Sequence, residues 1–243
     1  MYDVTSVTES QISECGARLE AFGPGAPNME AVANGIVRHL YDNMTDPATG
    51  EKACALVRFY KTHLYDKMDA GLQRFADAIL GDTERPDDMR CLTLLATVGE
   101  HDDWNSRAKS NGHKAIPLPS AEFVGKIPMI ARLVSQFGLE VNAVLRPDPA
   151  ILVGLGEQTC SVFHVPEAVG SPYIPAQDDF VIPYGVRSVV GFGGMLPSGE
   201  FYVVIMFAKA QISRDVAERF SAMAAHVKTA IEPFAGKAVF DGD

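Results

Sequence analysis

Arg187-Ser188-Val189-Val190-Gly191-Phe192-Gly193-Gly194-Met195 and Phe201-Tyr202-Val203-Val204-Ile205-Met206-Phe207-Ala208 are the two runs whose reading decides the fold. They meet at Leu196-Pro197-Ser198-Gly199. β-Branched and aromatic residues on both arms, around a Pro/Gly turn, predict a β-hairpin. Just downstream, Ser213 is placed as a helix N-cap and Asp215 puts a negative charge in the first turn. Val216, Phe220, Met223, Ala224, Val227 and Ile231 then recur at three- and four-residue spacing. One face of this helix has to be buried, against its own sheet or against a partner helix. A hairpin that hands directly to a terminal helix reads as a signalling device rather than a catalytic motif.

Working back toward the N-terminus, the first twenty residues predict a helix that buries little, because Ile12 and Leu19 are its large aliphatics after Val7. It ends in the breaker cluster Phe22-Gly23-Pro24-Gly25-Ala26-Pro27. Asn28 caps a stronger helix reaching Met44, with Met29, Val32, Ile36, Val37, Leu40 and Tyr41 on one stripe. Ala53–Tyr60 reads as a strand, Asp66–Leu80 as a helix stopped by Gly81, and Met89–Val98 as a strand apolar enough to be covered on both faces. Glu100 to Pro119 shows neither helical nor strand periodicity, the mark of a functional or disordered segment. Ser120 and Pro128 open helical signals ending at Gln136. Leu139, Val141, Ala143 and Leu145 alternate as a strand would, and the stretch on to Leu155 has no clear period. Cys160–Val165 is a further strand, and Phe180, Val181 and Tyr184 belong to a short helix or turn stopped by Gly185. The expected division is an N-terminal helical segment, 1–52, and a main domain, 53–243.

With 31 acidic against 21 basic residues the chain carries a formal charge of −10, which repels nucleic acid, and no basic patch compensates for it. No apolar run approaches the roughly 18 residues of a membrane helix, and Met1–Gln11 has neither a basic leader nor an apolar signal core. The expectation is a cytoplasmic protein that neither binds nucleic acid nor enters a membrane. Cys15, Cys54, Cys91 and Cys160 are scattered without a Cys-x-x-Cys pair, and the last three sit in apolar runs as small core residues. Gly191-Phe192-Gly193-Gly194 lies within a hairpin arm and lacks the Lys-Ser or Lys-Thr of a phosphate loop. Its glycines read as relief of crowding or as a bulge.

The order helix, strand, helix, strand, long variable segment, strand, short helix, hairpin, helix resembles the GAF family of cytosolic sensory domains. The resemblance is carried by Ile182-Pro183-Tyr184-Gly185-Val186-Arg187-Ser188-Val189-Val190-Gly191 and by Gly193-Gly194-Met195-Leu196-Pro197-Ser198-Gly199-Glu200-Phe201. Ala55–Lys61 and Cys91–Thr97 add to it, and together the match spans Ala53 to Phe234. It implies an α+β fold in which a GAF/PAS-like central antiparallel sheet is flanked by helices and the N- and C-terminal helices pack together. It also implies a bacterial signal-transduction role: a small-molecule ligand held over the sheet between Glu100 and Tyr184, and output to a histidine kinase or cyclic-di-nucleotide module. A homodimer through the helices Asn28–Met44 and Ser213–Ile231 is expected. The segment from Glu100 to Gln177 is longer than a minimal GAF domain needs, which suggests an elaborated lid.

Candidate ligand contacts follow from residue chemistry within that region. Trp104, the sole tryptophan, sits beside Asn105 in the aperiodic segment, where its large apolar area has to cover a cavity or a neighbour. His113 lies in a turn open to pocket or solvent. Phe163 and His164 alternate on a strand, so only one of them faces a sheet-side cavity. Tyr173 and Tyr184 flank Pro-rich turns with hydroxyls to offer, and Arg187 begins a strand either as an anion partner or as a solvated charge. No cofactor motif is present. Two rival readings remain open: a metal or haem site using His101, Asp102, Asp103, His113 and His164, which lack ligand spacing, and a GAF-scaffold reductase of the free methionine sulfoxide type, which needs Cys91 and Cys160 reactive and within disulfide reach.

Overall fold

The computed structural model describes residues 1–110, 112–148, 160–237 and 239–240. In chain order it contains β1 (Tyr2–Asp3), α1 (Glu9–Glu20), α2 (Met29–Asn43), β2 (Met44–Thr45), β3 (Cys54–Leu64), α3 (Ala70–Leu80), β4 (Arg90–Gly99) and β5 (Ala115–Leu118). There follow α4 (Ala121–Gly125), α5 (Pro128–Gln136), α6 (Val141–Leu145), β6 (Ser161–Val165), β7 (Ser188–Met195), β8 (Phe201–Ala208), α7 (Arg214–Arg219) and α8 (Ser221–Ile231). Six strands form one antiparallel sheet in the order β5-β4-β3-β8-β7-β6. The expected α+β architecture, an antiparallel sheet flanked by helices, is the one observed.

Both faces of the sheet are covered. Val57 and Phe59 of β3 and Val204 and Met206 of β8 join a core with α1, α2, α3, α7 and α8. Leu56 and Tyr60 of β3 and Val203 and Ile205 of β8 join a second core with α4, α5, α6 and the 163–186 segment. This explains why β7 and β8 are buried at every position: neither face is left to solvent. The hairpin pairs without a bulge from Ser188↔Ala208 to Met195↔Phe201. Its glycines relieve crowding, since a Cβ on Gly193 would overlap the Tyr202 carbonyl oxygen and lie 2.8 Å from Val203 Cα. β3 runs four residues past the expected Tyr60. Lys61 is tolerated there at 1% exposure because its ammonium lies 3.0 Å from the Glu200 carboxylate.

The N-terminal helix departs from expectation by burying a great deal. Thr8 and Gln11 close a reciprocal capping box, and Ile12, Cys15 and Leu19 enter the core beside Tyr2, Val4 and Val7. Gly16 and Gly23 let α1 and its exit approach α8 closely: a Cβ on Gly16 would strike the His226 ring, and one on Gly23 would lie 2.8 Å from the Ala230 carbonyl oxygen. His226 Nδ1 sits 2.7 Å from Glu20 across this contact. The apolar stripes of α2 and α8, on which pairing with a second copy was expected, are thus buried within the chain's own core. The C-terminal helix is also divided, at Phe220, into α7 and α8.

Two segments read as irregular or as strand take other forms. Ala115–Leu118 pairs with β4 as an edge strand, where Pro117 has no neighbour needing its N–H. The alternation over 139–145 is overridden, and Val141–Leu145 is helical, burying Val144 and Leu145. Over five residues, period two and period 3.6 are hard to separate. Residues 149–159, including the rest of that ambiguous stretch, lie outside the described residues. Substitution Gly193→Val is expected to destabilise the fold by about 2–3 kcal/mol through overpacking against β8, read as a lowered urea midpoint; an unchanged midpoint would contradict the close approach.

Candidate ligand-binding site

A cavity of about 440 Å³ opens on the face of the sheet opposite the terminal helices. Its volume falls within the usual range for small-molecule sites. The floor is built by period-two alternation: Leu56, Arg58 and Tyr60 of β3, Leu92 of β4, Ile116 of β5, and Ile205 and Phe207 of β8. Walls and roof come from Trp104, from Ile127 to Ile130 around the start of α5, and from Ile174, Pro175, Ala176, Phe180 and Tyr184.

The roof is an aromatic cluster. Trp104 lies 4.6 Å from Tyr184 and 5.5 Å from Phe180 between ring centroids, and Phe180 meets Phe207 of the floor edge-on at 5.0 Å. Gly99, at the end of β4, makes room for the indole: a Cβ there would stand 2.8 Å from Trp104 Cε3. Phe180 is presented by a single π-helical turn, Gln177–Val181, with hydrogen bonds from Val181 N–H to the Ala176 carbonyl and from Ile182 N–H to the Gln177 carbonyl. The Gln177 side chain pins the segment before it, donating to the Ala168 and Ile174 carbonyls and accepting from Gly170 N–H.

Arg58 is the unusual group. It is 7% exposed and lines the cavity. Its guanidinium donates to Tyr60 Oη at 3.0 Å, the Gly112 carbonyl at 3.2 Å and Ser110 Oγ at 3.1 Å, while Nε is buried without a partner. Among the described residues no Asp or Glu forms an ion pair with it. The loop that reaches over Arg58 contains His113, the one non-glycine residue with positive φ among the described residues, at 56°. His113 is exposed as a residue, yet the protein atoms that displace water from its ring, and the Arg58 charge, hold its pKa below the usual imidazole value.

Three of the residues expected to contact ligand, Trp104, His113 and Tyr184, line the cavity; the other five lie elsewhere. Asn105 braces the root of the loop, its amide donating to the Gly99 and His101 carbonyls. Phe163 is fully buried in the cavity-side core, and His164 points the other way, its Nε2 2.9 Å from the Ile212 carbonyl oxygen. Burial lowers the His164 pKa. Tyr173 stacks under Arg132 at 5.3 Å, and Arg187 is exposed at the start of β7. The reading of the sequence missed Arg58, Tyr60, Ser110 and Phe180. The signal for Arg58 is an arginine within Ala55-Leu56-Val57-Arg58-Phe59-Tyr60, a strand apolar on both faces.

No cysteine lines the cavity among the described residues. Cys15, Cys54 and Cys91 are buried, and burial pushes each thiol up to about 12, far from a reactive thiolate. Cys160 lies 3.9 Å from Tyr202 Oη and packs against the helix-side core. Among the described residues no cluster of three or more His, Cys, Asp or Glu is placed to hold a metal ion. No described helix is long and apolar enough to cross a membrane.

No family model and no curated protein matches the chain. It is similar to the solved structure of free methionine-R-sulfoxide reductase from Neisseria meningitidis in complex with its substrate, at 12% identity and a TM-score of 0.49, covering 95% of each chain. It is also similar to the phycoerythrobilin-bound and phycocyanobilin-bound GAF domains of cyanobacterial phytochromes, each at 12% identity. Their TM-scores are 0.42 and 0.44, with 95% of this chain and 98% and 97% of those chains covered. The element order on which the sequence resemblance rests is present in the structure.

A buried guanidinium whose partners among the described residues are all neutral carries a desolvation cost that no ion pair offsets. Arg58→Met is therefore expected to raise the urea midpoint of the purified protein, by a stability gain on the order of 1–3 kcal/mol; a clear loss of stability would show that the three neutral bonds outweigh the buried charge.

Proposed function

We propose that this chain is a small-molecule-sensing GAF-like domain of the cytosol, which binds ligand in the 440 Å³ cavity and relays occupancy to the helices on the opposite face of the sheet. The observation that carries this reading is the cavity itself: an apolar, aromatic-roofed space with a single Lys or Arg side chain, Arg58, on its lining among the described residues. The free thiols of Cys15, Cys54 and Cys91 fit a reducing compartment. None of the cysteines lines the cavity, so the reductase reading has no thiol nucleophile there.

Two routes join the cavity to the helical layer. Through the sheet, Ile205 and Phe207 border the cavity while Val204 and Met206 meet the helices, and Tyr202 Oη on the same strand donates to the Ala224 carbonyl of α8 at 2.8 Å. Around the edge, the loop that carries Trp104 is clamped to α2. Arg107 reaches Glu30 by two bonds of 3.1 and 2.9 Å, and Arg38 donates to the Asn105 carbonyl at 3.2 Å. A ligand that reorders the Trp104 roof would thereby shift the packing of α2. It signals only in proportion to its difference in affinity for the two packings. Output to a partner or downstream module would leave through α2 and through α7 and α8, the helices expected to serve a dimer.

Native mass spectrometry of the protein as purified is expected to show a bound small molecule, and its removal should lower the melting temperature in the manner of linked binding. Ala176→Trp, which narrows the cavity from its lid, should abolish retention of that molecule with little effect on folding; full retention would remove the cavity from consideration. Glu30→Gln should weaken the clamp by about 1–2 kcal/mol and accelerate hydrogen exchange over residues 100–110. Unchanged exchange there would count against the edge route.

A further inference from the structure

We propose that the cavity selects a monocarboxylic acid with an apolar, ring-sized body, its carboxylate pairing with the guanidinium of Arg58. This rests on the cavity being a ligand site, as proposed above, and adds the chemical class of the ligand.

The case begins with what Arg58 lacks. Elsewhere in this chain an arginine uses its Nε and Nη2 edge to take a carboxylate: Arg107 grips Glu30 at 3.1 and 2.9 Å, and Arg146 grips Asp88 at 2.9 and 3.3 Å. Arg58 is more deeply buried than either, yet that edge has only the Ser110 hydroxyl on Nη2 and no acceptor on Nε. Nη1 is occupied by Tyr60 Oη and the Gly112 carbonyl. All three partners are neutral, so the positive charge is held in place by hydrogen bonds, and among the described residues no carboxylate pairs with it. A buried cation without a counterion, facing an apolar cavity, is an arrangement that an anionic ligand completes.

The number of charges decides between anions. Arg58 supplies one positive charge, no lysine lines the cavity among the described residues, and Asp103 places a carboxylate on the same lining. A dianionic phosphate ester would leave its second charge uncompensated on a lining that already carries the Asp103 carboxylate. A monoacid matches the single guanidinium one to one. The walls supply the rest: Leu92, Ile205 and the rings of Trp104, Phe180 and Phe207 accept a hydrocarbon or aromatic body.

Trp104 is the sole tryptophan and lines the cavity, so its fluorescence reports occupancy directly. The probes are 4-phenylbutyrate, 4-phenylbutanamide and phenyl phosphate, titrated into the purified full chain up to millimolar concentration, with calorimetry in parallel. The acid is expected to bind at least about tenfold more tightly than the amide and the phosphate, and the preference for acid over amide should disappear in Arg58→Met. Equal binding of acid and amide, tighter binding of the phosphate, or a preference that survives in Arg58→Met would overturn the assignment of Arg58 while leaving the cavity as a ligand site. No response from any of the three probes would tell against the cavity reading, and this inference would fall with it. If Arg58→Met does not fold, Arg58→Gln serves for the same comparison, and the ranking of the three probes on the unmodified protein is decisive by itself.

Discussion

Alternation along β3 is the constraint on which this structure turns. The strand lies in the middle of the sheet, paired to β4 on one side and β8 on the other, so its backbone is fixed by two ladders. With the backbone fixed, successive side chains must serve different layers: Val57 and Phe59 fill the helical core, while Leu56, Arg58 and Tyr60 form the cavity floor. A slip of one residue would exchange the two sets, placing an arginine in the helical core and a phenylalanine in the cavity. Register is therefore specified strongly by the difference between the two faces, and the cavity inherits its geometry from that register.

Two buried cations on this strand resolve the same electrostatic problem differently. Lys61 faces the helix side and has its counterion within the chain. Burial lowers its pKa, opposed by the Glu200 charge; burial likewise works against the Glu200 carboxylate, but Lys61, Ser198 and Arg90 more than offset it and leave that pKa lowered. Arg58 faces the cavity and is held by a hydroxyl, a phenol and a carbonyl. The first arrangement is closed and structural. The second leaves a charge with no paired carboxylate among the described residues on the floor of the cavity, and the loop that brings the Gly112 carbonyl to it includes the unfavourable backbone conformation of His113.

The roof and the helical layer are separate in space but joined at the edge of the sheet. Trp104, Phe180 and Tyr184 interlock by ring contacts, Gln177 fixes the turn that presents them, and the loop below Trp104 is tied to α2 by Arg107 and Arg38. Because α1 and α8 pack through glycine-permitted close contacts, the helical layer behaves as a packed unit rather than as independent arms. A change in roof position thus has a short mechanical path to the terminal helices.

The sequence by itself determined the elements with strong local signals. The closing hairpin, the capped helix after Asn28, the covered strands and the aperiodic stretch that holds Trp104 were legible from periodicity, caps and turn residues, because those signals depend on near neighbours. It also separated Phe163 from His164 onto opposite faces, a consequence of strand geometry alone. Tertiary structure decided the rest. The burial of the α2 and α8 stripes in the chain's own core, which of the aromatic and cationic residues border the cavity, and the lack of a paired carboxylate at Arg58 among the described residues all depend on contacts between residues far apart in the sequence, such as Arg58 with Ser110 and Gly112. Burial and charge compensation are properties of what surrounds a side chain in space, and neither a period nor a spacing records that.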